Sequence, residues 1–464
     1  MKITEKYKTL LNNTGLLFVG TFGSKMISFL MLPFYTRWLS MEDFGTSDII
    51  NVYSTILVAL ISLCIAEAVF IIPTGKKMDE QKKFFSSSIA FALFCTILLV
   101  LLFVFFVMLK EYVKFSFIDN VGFIALLCGT NIYMGIVQQF CKCIHKIRVY
   151  AFAGILNTIS VAFLGFILIK PFGLLGYVFS LVIANILAFI YVVISARLTR
   201  YFCLRAISKQ HLRELLSYSM PLIPNSIIWL IVSYINRPIM ESSMGIAAIG
   251  LFSLANRFPT LISTIYNNFS NSWQISVLQE FGKQGYERFY NRTCFVVFVL
   301  MCLCVSFITM VIRPVIHLFF NENYYATINY IPCLCLSTPF LALASIVGAN
   351  FSAIKQSKYF FYSSIWSASS AIFFNCILIP IIGLWGACLA SVISFVVGAF
   401  SRIFYSRNIV HLNGFWFYIT FTLLTVTMLL LQFYKISFVF LLIYFFIEVV
   451  FCYGFIYNLF KKIR

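Results

Sequence analysis

Two nonapeptides, LIKPFGLLG at residues 168–176 and LIPIIGLWG at residues 378–386, decide the fold. They lie 210 residues apart, and each joins two long apolar runs through a corner bounded by glycines. At the same offset Arg148 answers Lys358. Toward the N-terminus the offset becomes 205: TLLNNTG (9–15) answers ELLSYSM (214–220), Pro33 answers Pro238, and Gly45 answers Gly250. Two collinear blocks of matches over six apolar runs point to a duplicated chain. Six is even, so both copies enter from the same side, as parallel repeats about an axis along the membrane normal, with substrates expected near midplane between the halves.

Composition supplies the solvent. The chain has 464 residues, 61% hydrophobic and 11% charged, with a mean hydropathy of +0.96. A soluble fold of this size cannot bury so much apolar surface. Runs long enough to cross a hydrocarbon core of about 30 Å recur from end to end, and the alternation of an outer-membrane barrel strand is absent. The reading is an all-α polytopic membrane protein with about fourteen spans: 10–34, 45–72, 84–108, 118–140, 150–170, 174–196, 217–239, 246–277, 290–316, 326–351, 359–381, 384–404, 413–433 and 436–457. The first is read as a span, since it is too long for a cleaved signal peptide.

The basic residues test that count. With the N-terminus in the cytoplasm, the cytoplasmic loops and ends carry 25 Lys and Arg, and the opposite side carries seven: Arg37, Lys110, Lys114, Lys170, Arg237, Arg313 and Lys435. Only Lys25 and Arg257 lie more than one helical turn inside a span. This segregation follows the positive-inside rule and places both termini in the cytoplasm. The net charge of +19 is thus mostly topology, and nucleic acid is not an expected partner. The expected organisation is an N-terminal lobe over 1–196 (spans 1–6), a basic linker over 197–216 on the inner leaflet, a C-terminal lobe over 217–408 (spans 7–12), and spans 13–14 with a tail over 409–464.

The opening NNTGLLFVGTFGSKMISFLMLPFYTRWLSMEDFGTSDII, the counterpart SMPLIPNS…MGIAAIGLFSLANRF, and the repeated GLLG/GLWG corners resemble the polysaccharide (O-antigen-unit) flippases. These belong to the multidrug/oligosaccharidyl-lipid/polysaccharide exporter (MOP) superfamily. The resemblance covers essentially the whole chain. It implies alternating-access transfer of an undecaprenyl-pyrophosphate-linked oligosaccharide, an O-antigen or capsule repeat unit, from the inner to the outer leaflet of a bacterial cytoplasmic membrane. A polysaccharide polymerase and a chain-length regulator are implied partners, besides the membrane lipids. Fourteen spans are familiar from the related lipid II flippases, which leaves that branch open. An ion-coupled multidrug exporter of the same fold is the nearest rival, and a membrane polysaccharide polymerase or ligase a more distant one.

The in-membrane charges suggest the site. Lys25 and Arg257 are expected at similar depth, one in each half, although each charge costs about 2.5–3.5 kcal/mol on insertion scales. Polar stripes at helical spacing flank them: Thr21, Lys25 and Ser28; Asp48, Asn51, Thr55 and Ser62; Arg257, Thr260, Thr264, Asn268 and Asn271. Such stripes either glue helices together or line a watery cavity. On the second reading, Lys25, Arg257, Arg37 and Arg237 hold an anionic head group. Glu67, Asp48, Glu241 and Glu448 are the candidates for ion coupling. Asn267, Asn268, Asn271, Trp273 and Gln274 on one span and Trp229 and Tyr234 on another are of types that suit sugars, but no individual ring is assigned a sugar role, since aromatics otherwise mostly face lipid or the interface. Pro221 and Pro224 should bend span 7. No catalytic constellation, cofactor or metal site is expected: the cysteines lack CxxC spacing, and most lie within apolar runs as small hydrophobes.

Overall fold

The computed structural model describes residues 22–109, 116–354, 356 and 358–461, without the side chains of Asn268 and residues 455–461. The start of the first expected span (10–21, with Thr21), both termini, and Lys110, Lys114 and Lys355 lie outside the described residues. Among the described residues every regular element is a helix. Eleven of them are long and apolar enough to cross a membrane. In hydrocarbon only self-satisfied backbone is stable, so an apolar chain of this length resolves into helices.

The chain divides into two compact units, residues 1–230 and 231–464. In the first, α1 covers 22–30, followed by α2 (Leu32–Trp38), α3 (Met41–Ile61), α4 (Ile65–Ile71), α5 (Met78–Leu109), α6 (Ser116–Asp119), α7 (Val121–Cys143), α8 (Ile147–Ser195) and α9 (Lys209–Ser219); α10 (Ile223–Tyr234) runs across the boundary into the second unit. Ser40 caps α3, its Oγ accepting from the Asp43 amide at 3.0 Å, with Glu42 and Asp43 in the first turn where the helix dipole favours acids. The core gathers where α7 packs on α3, α4, α5 and α8, with Phe85 stacked on Phe140 at 4.4 Å. The 197–216 stretch is docked rather than merely laid on lipid. Ser86 Oγ donates to the Tyr201 carbonyl and accepts from the Cys203 amide, Ser87 Oγ does the same with both backbone groups of Ser208, and Leu198 and Leu215 are buried.

The second unit holds α11 (Asn236–Met244), α12 (Ile246–Glu280), α13 (Tyr286–Phe319), α14 (Thr327–Cys335), α15 (Ser337–Ala353), α16 (Lys358–Ile382), α17 (Leu384–Ser406), α18 (Phe415–Phe433) and α19 (Phe438–Lys461). α14–α15 is its most buried span; α12, α13 and α17 pack around it, and α18 and α19 pack on α13.

α8 has 49 residues, about 74 Å at 1.5 Å per residue, too long for one crossing. It is two spans across a kink at Gly173, where φ is 55° and ψ is −129°. Gly383, its counterpart, has φ 61° and ψ −133° between α16 and α17. Both conformations are open to glycine and strained for other residues. A Cβ on Gly176 would lie 2.1 Å from the Leu168 carbonyl oxygen, and one on Gly386 would lie 2.2 Å from that of Leu378. The two nonapeptides are therefore the same corner, built twice. The chain also breaks just ahead of each matched proline, at Met31 before Pro33 and at Ile235 before Pro238. With α8 as two passes, and with α19 and the α1–α2 segment added to the other long helices, the spans account for the expected fourteen. Span 7 is interrupted at its start by a 3-10 turn over Met220–Leu222, where Pro221 and Pro224 predict a bend.

Candidate functional site

α12 has three differently used sides. Phe258, Ile262, Tyr266, Trp273 and Val277 are buried, and the Tyr266 hydroxyl and Trp273 Nε1 donate to the Ala342 and Ile346 carbonyls at 3.0 and 3.2 Å. A second side carries Ile265 and Phe269, both exposed. The third is a polar track. Arg257, Thr260, Thr264, Asn267, Asn271 and Gln274 follow at alternating steps of three and four, half-buried at Arg257 and Thr264 and exposed at the rest. From Arg257 to Gln274 the track is about 26 Å long, close to the thickness of the hydrocarbon core. Side chains of this polarity across a span are stable only against protein or water. Thr260 and Thr264 donate their hydroxyl protons to carbonyls of their own helix, both at 2.8 Å. They present oxygen lone pairs outward, so donors along the track come from Arg257 and the amides. Asn268 is outside the described side chains.

The first unit places its predicted residues less uniformly. Lys25 and Ser28 are exposed on α1, Ser28 Oγ donating to the Ser24 carbonyl at 2.9 Å. On α3 the predicted stripe divides: Asp48 and Ser62 are buried, Asn51 is half-buried and Thr55 exposed. Asn51 Nδ2 donates to the Ser47 carbonyl at 2.7 Å and approaches the Tyr177 hydroxyl at 3.5 Å. Glu67 is exposed and accepts from Gln139 Nε2 at 3.3 Å. It sits in the first turn of α4, which begins after Leu63 and Cys64, two residues with φ of 50° and 55°. This break frees carbonyls inside the span, and thiols take them up: Cys95 Sγ donates to the Ile61 oxygen at 3.3 Å and Cys64 Sγ to that of Ala59 at 3.9 Å.

Of the remaining candidates, Arg37 is exposed at the end of α2. Arg237 is 2% exposed and serves the fold: its Nη1 donates to the Ser233 carbonyl at 3.0 Å and to Asn236 Oδ1 at 2.7 Å, and its guanidinium lies over the Tyr234 and Phe252 rings. Glu241 is half-buried one turn further along α11. Glu448 is buried on α19, where Oε1 accepts from Ser306 Oγ at 3.1 Å. Trp273 is committed to the core, whereas Trp229 stays partly exposed.

Two polar groupings escaped the sequence reading. Asn157 donates to Asn185 Oδ1 at 2.8 Å, Asn185 donates to Asn131 Oδ1 at 2.8 Å, and Asn131 reaches Ser54 Oγ at 3.5 Å. This amide chain ties both passes of α8 to α7 and α3. Scattered asparagines carry no sequence signal until the helices meet. Arg402, assigned by sequence to a cytoplasmic loop, is instead buried within α17. Its Nη1 donates to the Ala344 carbonyl at 2.9 Å and its Nε to Ser363 Oγ at 3.3 Å.

The fold is thus a duplicated helical membrane fold, with a polar track along α12 in the second unit. A family described as "Polysaccharide biosynthesis protein" matches residues 10–273. The chain belongs to this family and is a multi-pass membrane protein. Among solved structures it is similar to the lipid II flippase MurJ in an inward closed conformation, with 16% identity and a TM-score of 0.71 over 97% of this chain and 100% of that one. It is also similar to a multidrug resistance MATE family transporter of the MOP superfamily, inward-facing, with 15% identity and a TM-score of 0.63 over 86% of this chain and 94% of the other. A third is a MOP superfamily transporter from Pyrococcus furiosus described as having a binding pocket of reverse polarity, with 14% identity and a TM-score of 0.58 over 85% and 95%. No curated protein matches.

Proposed function

We propose that this protein is a flippase that moves an undecaprenyl-pyrophosphate-linked oligosaccharide, an O-antigen or capsule repeat unit, from the inner to the outer leaflet of a bacterial cytoplasmic membrane. The observation that carries the reading is the α12 track: a guanidinium followed by amides and hydroxyl oxygens across nearly a hydrocarbon thickness. Guanidinium suits pyrophosphate, and amides with acceptor oxygens suit sugar hydroxyls. In the first unit, Lys25 is an exposed cation on α1. The family and the likeness to a flippase for a lipid-linked substrate support the same reading, and the segregation of the basic loops supports cytoplasmic termini.

The head group would be handled along the α12 polar track by alternating access, while the prenyl tail stays in lipid. Outward transfer of a negative charge across an inside-negative membrane gains about 2.3 kcal/mol per charge per 100 mV. Glu67, exposed and bonded to Gln139, is the acid best placed to couple an ion to the cycle.

The deciding experiment is a deletion strain complemented with this chain and supplied with defined carrier-linked units. Surface polymer should vanish on deletion while lipid-linked units accumulate on the inner leaflet. Resistance to cationic drugs conferred by the chain, with surface polymer unchanged by its deletion, would replace the flippase with a multidrug exporter.

A further inference from the structure

α12 and α13 each pack on α14 and α15 rather than mainly on each other. A groove of about 810 Å³ is left between them. Its floor is fixed, because Tyr266 is hydrogen-bonded to α15 and Phe269 stacks on the anchored Trp273. Its walls are apolar: Phe269, Phe289 and Leu300 are 38%, 42% and 50% exposed. Its cations, Arg288 and Arg292, stand one helical turn apart at one end, and Cys304 lies at the other.

The depth of the groove follows from α13. No charged residue intervenes between Arg292 and Arg313, a separation of about 32 Å along the helix that matches a hydrocarbon core of about 30 Å. Arg292 therefore marks one edge of the core. Cys304 is about 18 Å further along, near midplane. The groove opens at one interface, beneath two guanidiniums, and ends in the middle of the bilayer, which is the reach of one chain of a single-leaflet lipid. The leaflet is the one that the basic loops face.

We propose that this groove binds an anionic phospholipid of that leaflet, with its phosphate at Arg288 and Arg292 and one acyl chain along Phe269, Phe289 and Leu300. Two guanidiniums at a membrane interface complement a phosphodiester, and the apolar walls complement the chain. The site is separate from the polar track, which occupies another side of α12, so its test is independent of the transported substrate.

The test uses the purified full chain in detergent with phosphatidylglycerol and phosphatidylcholine of identical chains, read by native mass spectrometry and thermal shift. Phosphatidylglycerol should bind about thirtyfold more tightly and raise Tm. The double variant Arg288→Gln/Arg292→Gln should lose that preference while keeping the lipid-free Tm. Leu300→Trp, or Cys304→Phe if the first fails to fold, should weaken both lipids. The proposal is overturned if the double variant keeps the preference, or if both groove-filling variants bind as wild type. It is equally overturned if polyprenyl phosphate, but not phosphatidylglycerol, occupies the groove, or if a second copy of the chain does so, seen as a dimer that Leu300→Trp dissolves.

Discussion

The second span of the first half and the second span of the second half start alike and end differently. Gly45 and Gly250 stand near their beginnings at the repeat offset. α3 then breaks at Leu63 and Cys64, both left-handed, and restarts as α4 with Glu67 in its first turn. α12 runs unbroken from Ile246 to Glu280 even across Pro259. The break is sustained by thiol donors to the freed carbonyls and turns an acid outward. The unbroken helix keeps one neutral track behind Arg257. The repeat has thus kept its corners and diverged on its polar faces. Geometry is constrained by backbone contacts that tolerate no added atom, whereas polar faces are free to follow a substrate.

The largest effect should come from the shared corner. Gly176→Ala and Gly386→Ala place a Cβ within about 2.2 Å of a carbonyl oxygen, so both should lose about 3 kcal/mol or more, read as loss of monodisperse protein in detergent. A wild-type elution profile from either variant would break the equivalence of the two halves.

Next come the cations, one per half. Lys25→Ala and Arg257→Ala should each cut surface polysaccharide some thirtyfold or more, the effect of about 2 kcal/mol, at unchanged protein level. Lys25→Arg and Arg257→Lys should retain part of the function. If one alanine variant displays polymer normally, the site belongs to one half only.

The interiors should differ more gently. Asn185→Ala removes three amide contacts in the first unit and should cost about 1–2 kcal/mol. In the second unit Ser367, which matches Asn157 at the repeat offset, donates one bond to the Ser394 carbonyl, and Ser367→Ala should cost about 0.6 kcal/mol. Thermal unfolding of the two variants side by side measures the contrast, and equal shifts would remove it.

The smallest effect is expected at the break. Cys64→Gly relieves a left-handed side chain and should raise stability by roughly 0.5 kcal/mol. A fall in Tm would mean that the Cys64 thiol contributes more than its backbone strain costs.

The corners, the matched prolines just past the helix breaks and the proline-rich start of span 7, where a 3-10 turn interrupts the helix, were legible because each depends on residues close together in the chain. Arg257 and its track were legible for the same reason, being one face of one helix. Arg402 was misplaced because loop charge was counted by sequence position, whereas α17 is long enough to carry that residue into a buried site. The type and position of Arg237 suit an anion ligand; only the tertiary contacts show its Nη1 donating to Ser233 and Asn236 within the second unit. The divided stripe on α3 has the same cause: helical spacing tells which residues share a face, not what covers that face.

The sequence by itself determined the solvent, the span count, the duplication and the glycine corners, because hydropathy, charge segregation and backbone permissiveness are properties of short segments. Only the tertiary structure decided which polar residues stay exposed, which asparagines meet, and where a lipid-sized groove remains between two helices, because those outcomes depend on how residues far apart in the chain cover or leave one another.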